Sequence, residues 1–289
     1  MRDVTQLVET RIRRPGAIAD AAAARRRPAS FLGDHGKLMI IAADHPARGA
    51  LRAGADAFAM GNRVDLLDRI CTALERPGVN GVLGTPDILE DLLLLGALDD
   101  KVVIGSMNRG GLAGTSFEMD DRFTAYDSAS IAAAGFEGGK MLVRIDPEDA
   151  GTVATLQSCG HAVSDLAAHR LMAMVEPFIS HRADGRVRNE LTADAMIRAM
   201  TVAAGLGTTS AYTWLKVPVV DDMERVMAAT TLPALILGGE VSADAEGAYT
   251  RWRKALALPT VRGLVIGRSL LYPPAGPVAD AVDRAVSLL

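Results

Sequence analysis

Lys216 lies in a short apolar stretch, residues 211–220, that is rich in aromatic and β-branched side chains. Only five of the 31 basic residues of the chain are lysine, so general surface charge gives little reason for a lysine at this point. A lysine amine, unlike an arginine guanidinium, can lose its proton when it is buried and then attack a carbonyl carbon. The position therefore predicts a Schiff-base lysine. The alternative is a lysine at a strand end that extends its ammonium into solvent.

Two acidic residues occupy comparable places, because Asp44 and Glu176 each end another short apolar stretch. A carboxylate that lies close to a reacting amine can accept a proton and return it. We therefore predict that one of the two carboxylates moves a proton during catalysis. Both residues also have a structural alternative, since aspartate often caps a turn and a buried glutamate can be a hydrogen-bonded structural acid.

A second lysine, Lys140, lies in the apolar stretch 140–146. Side chains alternate along a strand, so this residue shares one face with Leu142, Arg144 and Asp146. If that face points inward, the Lys140 ammonium disfavours the charged form of a nearby Lys216 amine. The sequence thus predicts an active-site role for Lys140. The alternative is a structural ion pair with Glu137 or Asp146.

Glycine and arginine residues lie at the ends of the fourth and the last two apolar stretches, and Arg109 lies just after the third. Glycine lets a backbone approach a phosphate closely, and arginine donates paired hydrogen bonds to oxyanions. These residue types predict a phosphorylated substrate. The predicted substrate-binding and phosphate-binding residues are Arg109, Arg144, Gly238, Gly239, Gly267 and Arg268.

Eight apolar stretches that resemble strands must position these side chains, and helical stretches separate most of them. They are residues 38–44, 81–84, 102–107, 140–146, 171–176, 212–217, 234–239 and 263–268. Strands and helices that alternate in this way predict a (β/α)8 barrel, in which the active site lies at the C-terminal ends of the strands. An open doubly wound sheet is the alternative, although no GxGxxG motif follows an early strand.

The composition fits a globular protein, with 49% hydrophobic and 23% charged residues. A net charge of -4 gives no electrostatic reason to expect nucleic acid or an anionic membrane as a partner. Two cysteines without a CxxC pattern and a charged N-terminus without a signal peptide favour a cytoplasmic protein. We predict no cofactor and no metal, since metal-ligand motifs are weak. A hard-cation site made of Asp44, Asp146 and Glu176 is the alternative.

Residues 1–36 precede the first predicted strand, and the alanine-rich and arginine-rich segment 21–28 within them is typical of a helix end. We interpret them as an N-terminal helical extension that caps a barrel formed by residues 37–289. A basic arm that binds nucleic acid is a less favoured interpretation of the same segment.

The segments around these residues resemble one enzyme family. Residues 215–220 are similar to the Schiff-base strand of class I (β/α)8 aldolases, above all the tagatose-1,6-bisphosphate aldolases and their deoxyribose-phosphate and archaeal-type fructose-bisphosphate relatives. Residues 140–146 resemble the fourth strand of that group, and residues 174–177 its fifth strand. Residues 42–51 and 263–268 resemble its first strand and its phosphate-binding eighth strand. The likeness extends over residues 36–275 in strand order.

The resemblance implies a class I aldolase that forms an imine on Lys216 and acts on a phosphorylated keto-sugar or keto-acid. It also implies a homo-oligomer, and a branch of the family linked with inositol catabolism. The alternatives are a thiolase-like acyl transferase, a retro-aldol reaction on an unphosphorylated keto acid, a metal-dependent lyase, and a catalytically silent barrel that binds a sugar phosphate and regulates a partner. Borohydride trapping, coenzyme A dependence and sensitivity to chelation distinguish these activities.

Overall fold

A computed structural model describes residues 4–33, 35–241 and 244–289 of the chain. Its strands are β1 (Leu38–Ala42), β2 (Gly81–Gly84), β3 (Val102–Ser106), β4 (Gly138–Ile145), β5 (Met172–Ala183), β6 (Arg186–Asn189), β7 (Thr213–Val217), β8 (Ala234–Leu237) and β9 (Val261–Ile266). Eight of them pair in parallel in the order β4-β3-β2-β1-β9-β8-β7-β5, and the β4–β5 pairing closes the ring. The closed ring confirms the predicted (β/α)8 barrel and excludes the open doubly wound sheet.

Helices surround this barrel and connect its strands. They are α1 (Val4–Arg13), α2 (Ala17–Ala24), α3 (Arg63–Leu74), α4 (Pro86–Leu94), α5 (Ser128–Ala133), α6 (Gly151–Ala168), α7 (Ala193–Ala204), α8 (Met223–Met227), α9 (Ala245–Leu256), α10 (Arg268–Leu271) and α11 (Val278–Val286). Short 3-10 helices cover Pro46–Arg48 and Ala59–Gly61. Within the part of the chain that the structure describes, no helix is both long and apolar enough to span a membrane.

Both faces of the barrel strands are buried, and β1 illustrates the pattern. Leu38, Ile40 and Ala42 belong to a cluster inside the barrel, whereas Met39 and Ile41 pack into the larger cluster beneath the helices. Strands that are covered on both faces need apolar side chains at every position. This requirement explains why the strands can be found in the sequence as continuous apolar runs.

The segment before β1 closes the N-terminal end of the barrel. Phe31 packs against the inner cluster, and its ring centroid lies 5.8 Å from that of Trp214 in an edge-on arrangement. Arg25 follows α2 and forms a buried ion pair of 2.9 Å with Glu137. Residues 1–3 and 34 of the predicted extension lie outside the described residues, and a domain boundary at residue 36 stays a prediction.

The prediction that the fifth strand ends at Glu176 is wrong, because β5 continues to Ala183 and pairs with β6 in an antiparallel hairpin. The turn residues Asp184 and Gly185 have φ angles of 52° and 71°. Two consecutive positive φ angles are typical of the tight turn that an Asp-Gly pair favours in hairpins. The hairpin extends the strand beyond the C-terminal end of the barrel.

Pro147 and the two acidic residues that follow it are typical of a first helical turn, but α6 begins only at Gly151. The Asp146 carboxylate accepts a hydrogen bond of 3.0 Å from the Glu148 N–H, and the Asp149 carboxylate accepts one of 2.9 Å from the Gly151 N–H. Aspartates that bond to the backbone two residues ahead favour turns over helix. The acidic segment therefore forms a turn between β4 and α6.

Candidate active site

Four charged side chains form a continuous chain of contacts inside the C-terminal end of the barrel. Lys216 Nζ lies 2.9 Å from Glu176 Oε1, and Lys140 Nζ lies 2.5 Å from Glu176 Oε2. Lys140 Nζ also lies 3.2 Å from Asp44 Oδ2. All four residues are buried. The structure thus brings together the four residues that the sequence predicted as catalytic.

The strand register explains this arrangement. Lys140 on β4 pairs with Ser106 on β3, and Leu142 on β4 pairs with Glu176 on β5. Lys216 is on β7, which is the other neighbour of β5 in the ring. Since alternate side chains of each strand point into the barrel, Glu176 faces inward between the strands that carry the two lysines.

Charge attraction decides the ionisation of the two acids. Burial opposes ionisation of Glu176, but the attraction of Lys140 and Lys216 outweighs it and holds the pKa of the carboxyl well below its ordinary value. Burial likewise opposes ionisation of Asp44, and Lys140 and Arg109 overcome it and lower the pKa of that carboxyl. Both acids are therefore carboxylates at neutral pH.

For Lys140, burial has a larger effect on the pKa than the attraction of neighbouring charges, in contrast to the two acids. Burial outweighs the attraction of Asp44 and Glu176, and it lowers the pKa of the Lys140 ammonium to about 8. The residue is thus predominantly a cation at pH 7. It can lose its charge within one or two pH units of neutrality.

Asp44 is held in place by several donors. Arg109 Nη1 lies 3.0 Å from Asp44 Oδ2, and the Ser106 hydroxyl donates a hydrogen bond of 3.1 Å to the same oxygen. Arg109 also donates to the backbone carbonyl of Asp44, at 3.1 Å. With the Lys140 ammonium, three donors therefore converge on one carboxylate oxygen, which fixes its position and strongly favours the ionised form.

His45 lies beside Asp44 on the cavity wall, with 3.8 Å between His45 Nδ1 and Asp44 Oδ1. Burial is the main cause that lowers the pKa of the imidazole to about 3, and it outweighs the attraction of Asp44. Nδ1 is buried and has no hydrogen-bond partner within the described residues. The imidazole is neutral at physiological pH and has an unused polar atom.

The segment 108–121, which is rich in glycine, folds over the mouth of the barrel and is fixed by two buried ion pairs. Arg48 pairs with Asp121, and Arg144 Nη2 lies 3.0 Å from Glu118 Oε1. The Asn108 side chain exchanges hydrogen bonds of 2.6 and 2.8 Å with the backbone of Leu142. Arg144 therefore lines the cavity with its charge partly compensated by the protein.

The glycines that were predicted to bind phosphate line the same cavity. Gly239 has a φ of 70°, a conformation that residues other than glycine rarely adopt. A Cβ atom at Gly267 would lie 2.3 Å from the carbonyl oxygen of Ala42, so no side chain fits there. Arg268 follows directly, and its buried Nε has no hydrogen-bond partner within the described part of the chain. Burial lowers the pKa of Arg268, against the attraction of Glu240.

The cavity that these residues line has a volume of about 530 Å³ and opens at the C-terminal ends of the strands. The hairpin forms part of its wall through Val187, Arg188 and Asn189. A neighbouring cleft of about 360 Å³ shares Gly238 and Gly239 but contains none of the four catalytic candidates. A volume of about 530 Å³ lies within the range of small-molecule binding sites.

The alternative of a hard-cation site receives no geometric support. The carboxylate of Asp146 bonds to the turn before α6 and does not line the cavity with Asp44 and Glu176. Within residues 4–33, 35–241 and 244–289, no group of three or more His, Cys, Asp or Glu side chains could hold a metal ion.

Comparison with known proteins identifies the family. A family model described as Cgl0159-like matches residues 36–286. The chain belongs to the Cgl0159-like family. The crystal structure of Cgl0159 from Corynebacterium glutamicum (Brevibacterium flavum) has 53% sequence identity and a TM-score of 0.96, over 99% of this chain and 96% of that chain.

More distant structures share the barrel. An archaeal fructose 1,6-bisphosphate aldolase has 17% identity and a TM-score of 0.63, over 94% of this chain and 97% of that chain. A Schiff-base-forming fructose-1,6-bisphosphate aldolase has 16% identity and a TM-score of 0.62, over 94% and 98% of the two chains. At this identity the likeness shows the fold alone. No curated protein matches the sequence.

In this member of the Cgl0159-like family, several residues of the site had not been predicted. Ser106 and Glu118 are examples, and Arg188 on the hairpin is another. The Asp-Gly pair at 184–185 is a signal that could have revealed the hairpin. Ser106 and Glu118 gave no comparable signal, because each reaches its partner only through the closure of the barrel.

Proposed function

We propose that the protein is a class I aldolase that cleaves or forms a carbon–carbon bond in a phosphorylated keto-sugar or keto-acid. The observation that supports this proposal best is the chain of contacts from Lys216 through Glu176 and Lys140 to Asp44. It combines a buried amine with two ionised carboxylates and a second cation in one cavity. Imine chemistry needs these groups within contact of one another.

The reaction begins when the neutral amine of Lys216 attacks the substrate carbonyl carbon. The proton that Lys216 lost before the attack is then added to the hydroxyl of the resulting carbinolamine, which leaves as water, and an iminium ion remains. When the bond between the α and β carbons breaks, its electron pair moves to the iminium nitrogen and leaves a neutral enamine. The proton of the β-hydroxyl goes to a carboxylate, and the β carbon leaves as an aldehyde. Addition of a proton to the enamine carbon and hydrolysis of the imine then release the second product.

Charge balance favours Glu176 as the carboxylate that accepts this proton. Cleavage removes the positive charge at the nitrogen of Lys216, which lies 2.9 Å from Glu176 Oε1 in the free protein. The pKa of Glu176 is low because both lysines attract the carboxylate, so it rises as that charge disappears. Asp44 keeps its three donors throughout and orients Lys140 and the substrate oxygens.

A phosphate group of the substrate binds at Gly238, Gly239, Gly267 and Arg268. Backbone N–H groups and a guanidinium are suitable donors for phosphate oxygens at this end of a barrel. The unpartnered Nε of Arg268 supports this assignment, because a buried donor without an acceptor is costly unless a ligand supplies one. The link with inositol catabolism, the homo-oligomer and the cytoplasmic location stay predictions.

Borohydride trapping tests the proposal. The protein is incubated with a panel of keto-sugar and keto-acid phosphates, reduced, digested and examined by mass spectrometry. We expect a stable adduct on the peptide that contains Lys216, and no adduct in Lys216→Met. The matched control is Lys101→Met, because Lys101 bonds to the Val79 carbonyl at the opposite end of the barrel. An adduct on another lysine, or no adduct with any compound, contradicts the proposed function.

Two further variants separate the roles of the carboxylates. In Glu176→Gln we expect the adduct to form while cleavage of the bound substrate slows by about a hundredfold or more. In Asp44→Asn we expect weaker substrate binding, because Lys140 and Arg109 lose the carboxylate that orients them. Full cleavage by Glu176→Gln would assign the proton transfer to Asp44 instead. Turnover that requires coenzyme A would favour the acyl-transferase alternative.

A further inference from the structure

On three strands of the barrel, an apolar residue comes two positions after a charged residue of the site. The charged residues are Lys140, Glu176 and Lys216, and the apolar ones are Leu142, Phe178 and Pro218. Since side chains alternate along a strand, each apolar side chain lies on the same inward face, about 6.6 Å further toward the C-terminal end. All three are buried and line the cavity. Leu142, Phe178 and Pro218 are called the apolar wall below.

The residues of the apolar wall are neighbours around the barrel. Their strands are consecutive in the ring, because β4 pairs with β5 and β5 pairs with β7. In the β4–β5 pair, Leu142 is the register partner of Glu176, and Phe178 is the next inward residue of β5. The wall therefore borders the Glu176 carboxylate on the side of β4 and on the side of the cavity mouth.

The side chains of the apolar wall offer no hydrogen-bonding group to a ligand. Leucine, phenylalanine and proline side chains have no polar atom, and proline also has no N–H. The Asn108 side chain already bonds to the backbone N–H and carbonyl of Leu142, at 2.8 and 2.6 Å. A hydroxyl that packs against this wall loses its bonds to water and gains none in return, which costs free energy.

The cavity is polar on its other sides. Asp44 and His45 follow β1, Arg109 follows β3, and Arg268 follows β9. In the closed ring, three strands separate β4 from β9 in either direction, so Leu142 is on the strand opposite the one that Arg268 follows. A substrate whose phosphate binds near Arg268 therefore extends its other end toward the apolar wall.

The proposed reaction indicates which atoms of the substrate meet this wall. Lys216 holds the carbonyl carbon, and Glu176 accepts the proton of the β-hydroxyl. The substituent on the β carbon continues beyond that hydroxyl, where Phe178 and Leu142 are the inward side chains next to Glu176. The first carbon of this substituent therefore packs against apolar groups.

We propose that Leu142 and Phe178 are specificity residues that select a substrate with no hydroxyl on the carbon next to its β carbon. This inference rests on the proposed function and deepens it, because it defines the released product as a deoxy or alkyl aldehyde. Polar groups further along the substituent are compatible with the site, since the ion pair of Arg144 with Glu118 borders the wall toward the mouth. An apolar pocket rejects one added hydroxyl by about a hundredfold at most.

Binding of reduced substrates tests the inference independently of catalysis. Hexitol 1-phosphates have a hydroxyl at carbon 2 in place of the carbonyl, so carbon 4 is the β carbon and carbon 5 is next to it. Calorimetry with the full chain compares hexitol 1-phosphates of different configuration with their 5-deoxy and 3-deoxy analogues. We expect the best 5-deoxy compound to bind about tenfold tighter than its parent, because one unsatisfied hydroxyl is removed. The 3-deoxy analogue should bind no tighter than the parent, since carbon 3 lies nearer Lys140 and Asp44.

Two variants of the wall test the residues themselves. Leu142→Asn adds a donor and an acceptor at nearly constant size, and we expect the 5-deoxy preference to fall below about twofold. Phe178→His keeps a planar ring, and we expect the same result. The matched control is Leu112→Asn, because Leu112 is 38% exposed and lies outside the cavity lining. The tenfold preference should persist in this control, and circular dichroism shows that each variant is folded.

Four results overturn the inference: no binding of any compound, no 5-deoxy preference in the unaltered protein, an equal preference for the 3-deoxy compounds, or a 5-deoxy preference that persists in a folded variant of the wall. Since these compounds form no imine, a failure of borohydride trapping contradicts only the proposed function. If trapping succeeds and the 5-deoxy preference is absent, the proposed function stands and the inference alone is wrong.

Discussion

The ammonium of Lys140 lies 2.5 Å from Glu176 Oε2, so the carboxylate that contacts Lys216 is shared between two lysines. One acid therefore balances two buried cations, and Asp44 on the other side of Lys140 supplies the second negative charge. The group forms a network in which a change of charge at any one member alters the ionisation of the others.

The charge of Lys140 should appear in the pH dependence of activity. Burial lowers the pKa of Lys140 to about 8, so the residue is charged below that pH and loses its proton above it. If the charge orients substrate oxygens, kcat/KM decreases as the pH rises above about 8. In Lys140→Arg this decrease should disappear, since a guanidinium stays protonated. Rate measurements between pH 6 and 10 check this, and an unchanged decrease in Lys140→Arg would contradict it.

The ion pair between Arg48 and Asp121 should stabilise the segment 108–121. Asp121→Asn leaves a buried guanidinium without its carboxylate, and we expect it to lower the free energy of unfolding by about 3 kcal/mol. Arg122→Gln is the control, because the pair of Arg122 with Asp120 is largely exposed and a solvent-screened pair contributes far less to the free energy of unfolding. Urea unfolding measures both changes. Equal effects of the two variants would show that the buried pair does not fix the segment.

His45 should make the fold sensitive to acid. The pKa of its imidazole is about 3 in the folded protein, against an ordinary value of 6.5. Between these values the unfolded chain binds the extra proton, so stability falls as the pH falls from 6.5 toward 3. Between pH 7 and pH 4.5 the free energy of unfolding decreases in both proteins. We expect the decrease to be about 2 kcal/mol smaller in His45→Gln than in the unaltered protein. Urea unfolding at the two pH values checks this, and an equal loss in both proteins contradicts it.

Glu240 should oppose the binding of phosphate. Its carboxylate lines the cavity, and its attraction to Arg268 competes with that of an anionic ligand. We expect Glu240→Gln to bind inorganic phosphate about fivefold tighter, because a negative charge near the site is removed. Glu224→Gln is the control, since Glu224 is exposed on α8. Calorimetric titration checks this, and an equal gain in both variants would point to net charge rather than position.

The catalytic candidates could be predicted because their signals are local. Lys216 and Glu176 interrupt apolar strands, and a charged residue at such a place is costly unless it has a function or a partner. The order of strands and helices predicted the barrel. Since active sites of (β/α)8 barrels lie at the C-terminal ends of the strands, it also predicted where these residues meet. The end of the fifth strand was predicted wrongly, and α6 begins later than its acidic flanking residues indicate, because hydrogen bonds within turns override apolar periodicity.

The sequence by itself determined the fold class and the types of reactive groups. Strands that are buried on both faces are continuous apolar runs, and the side chains along each run alternate between its two faces, so both features can be recognised from neighbouring residues. The tertiary structure alone decided which charges meet. Lys140 contacts Glu176 rather than Glu137, and Glu137 instead pairs with Arg25. Arg144 pairs with Glu118, which belongs to the segment 108–121. These ion pairs depend on barrel closure and strand register, which bring together residues that are far apart in the chain.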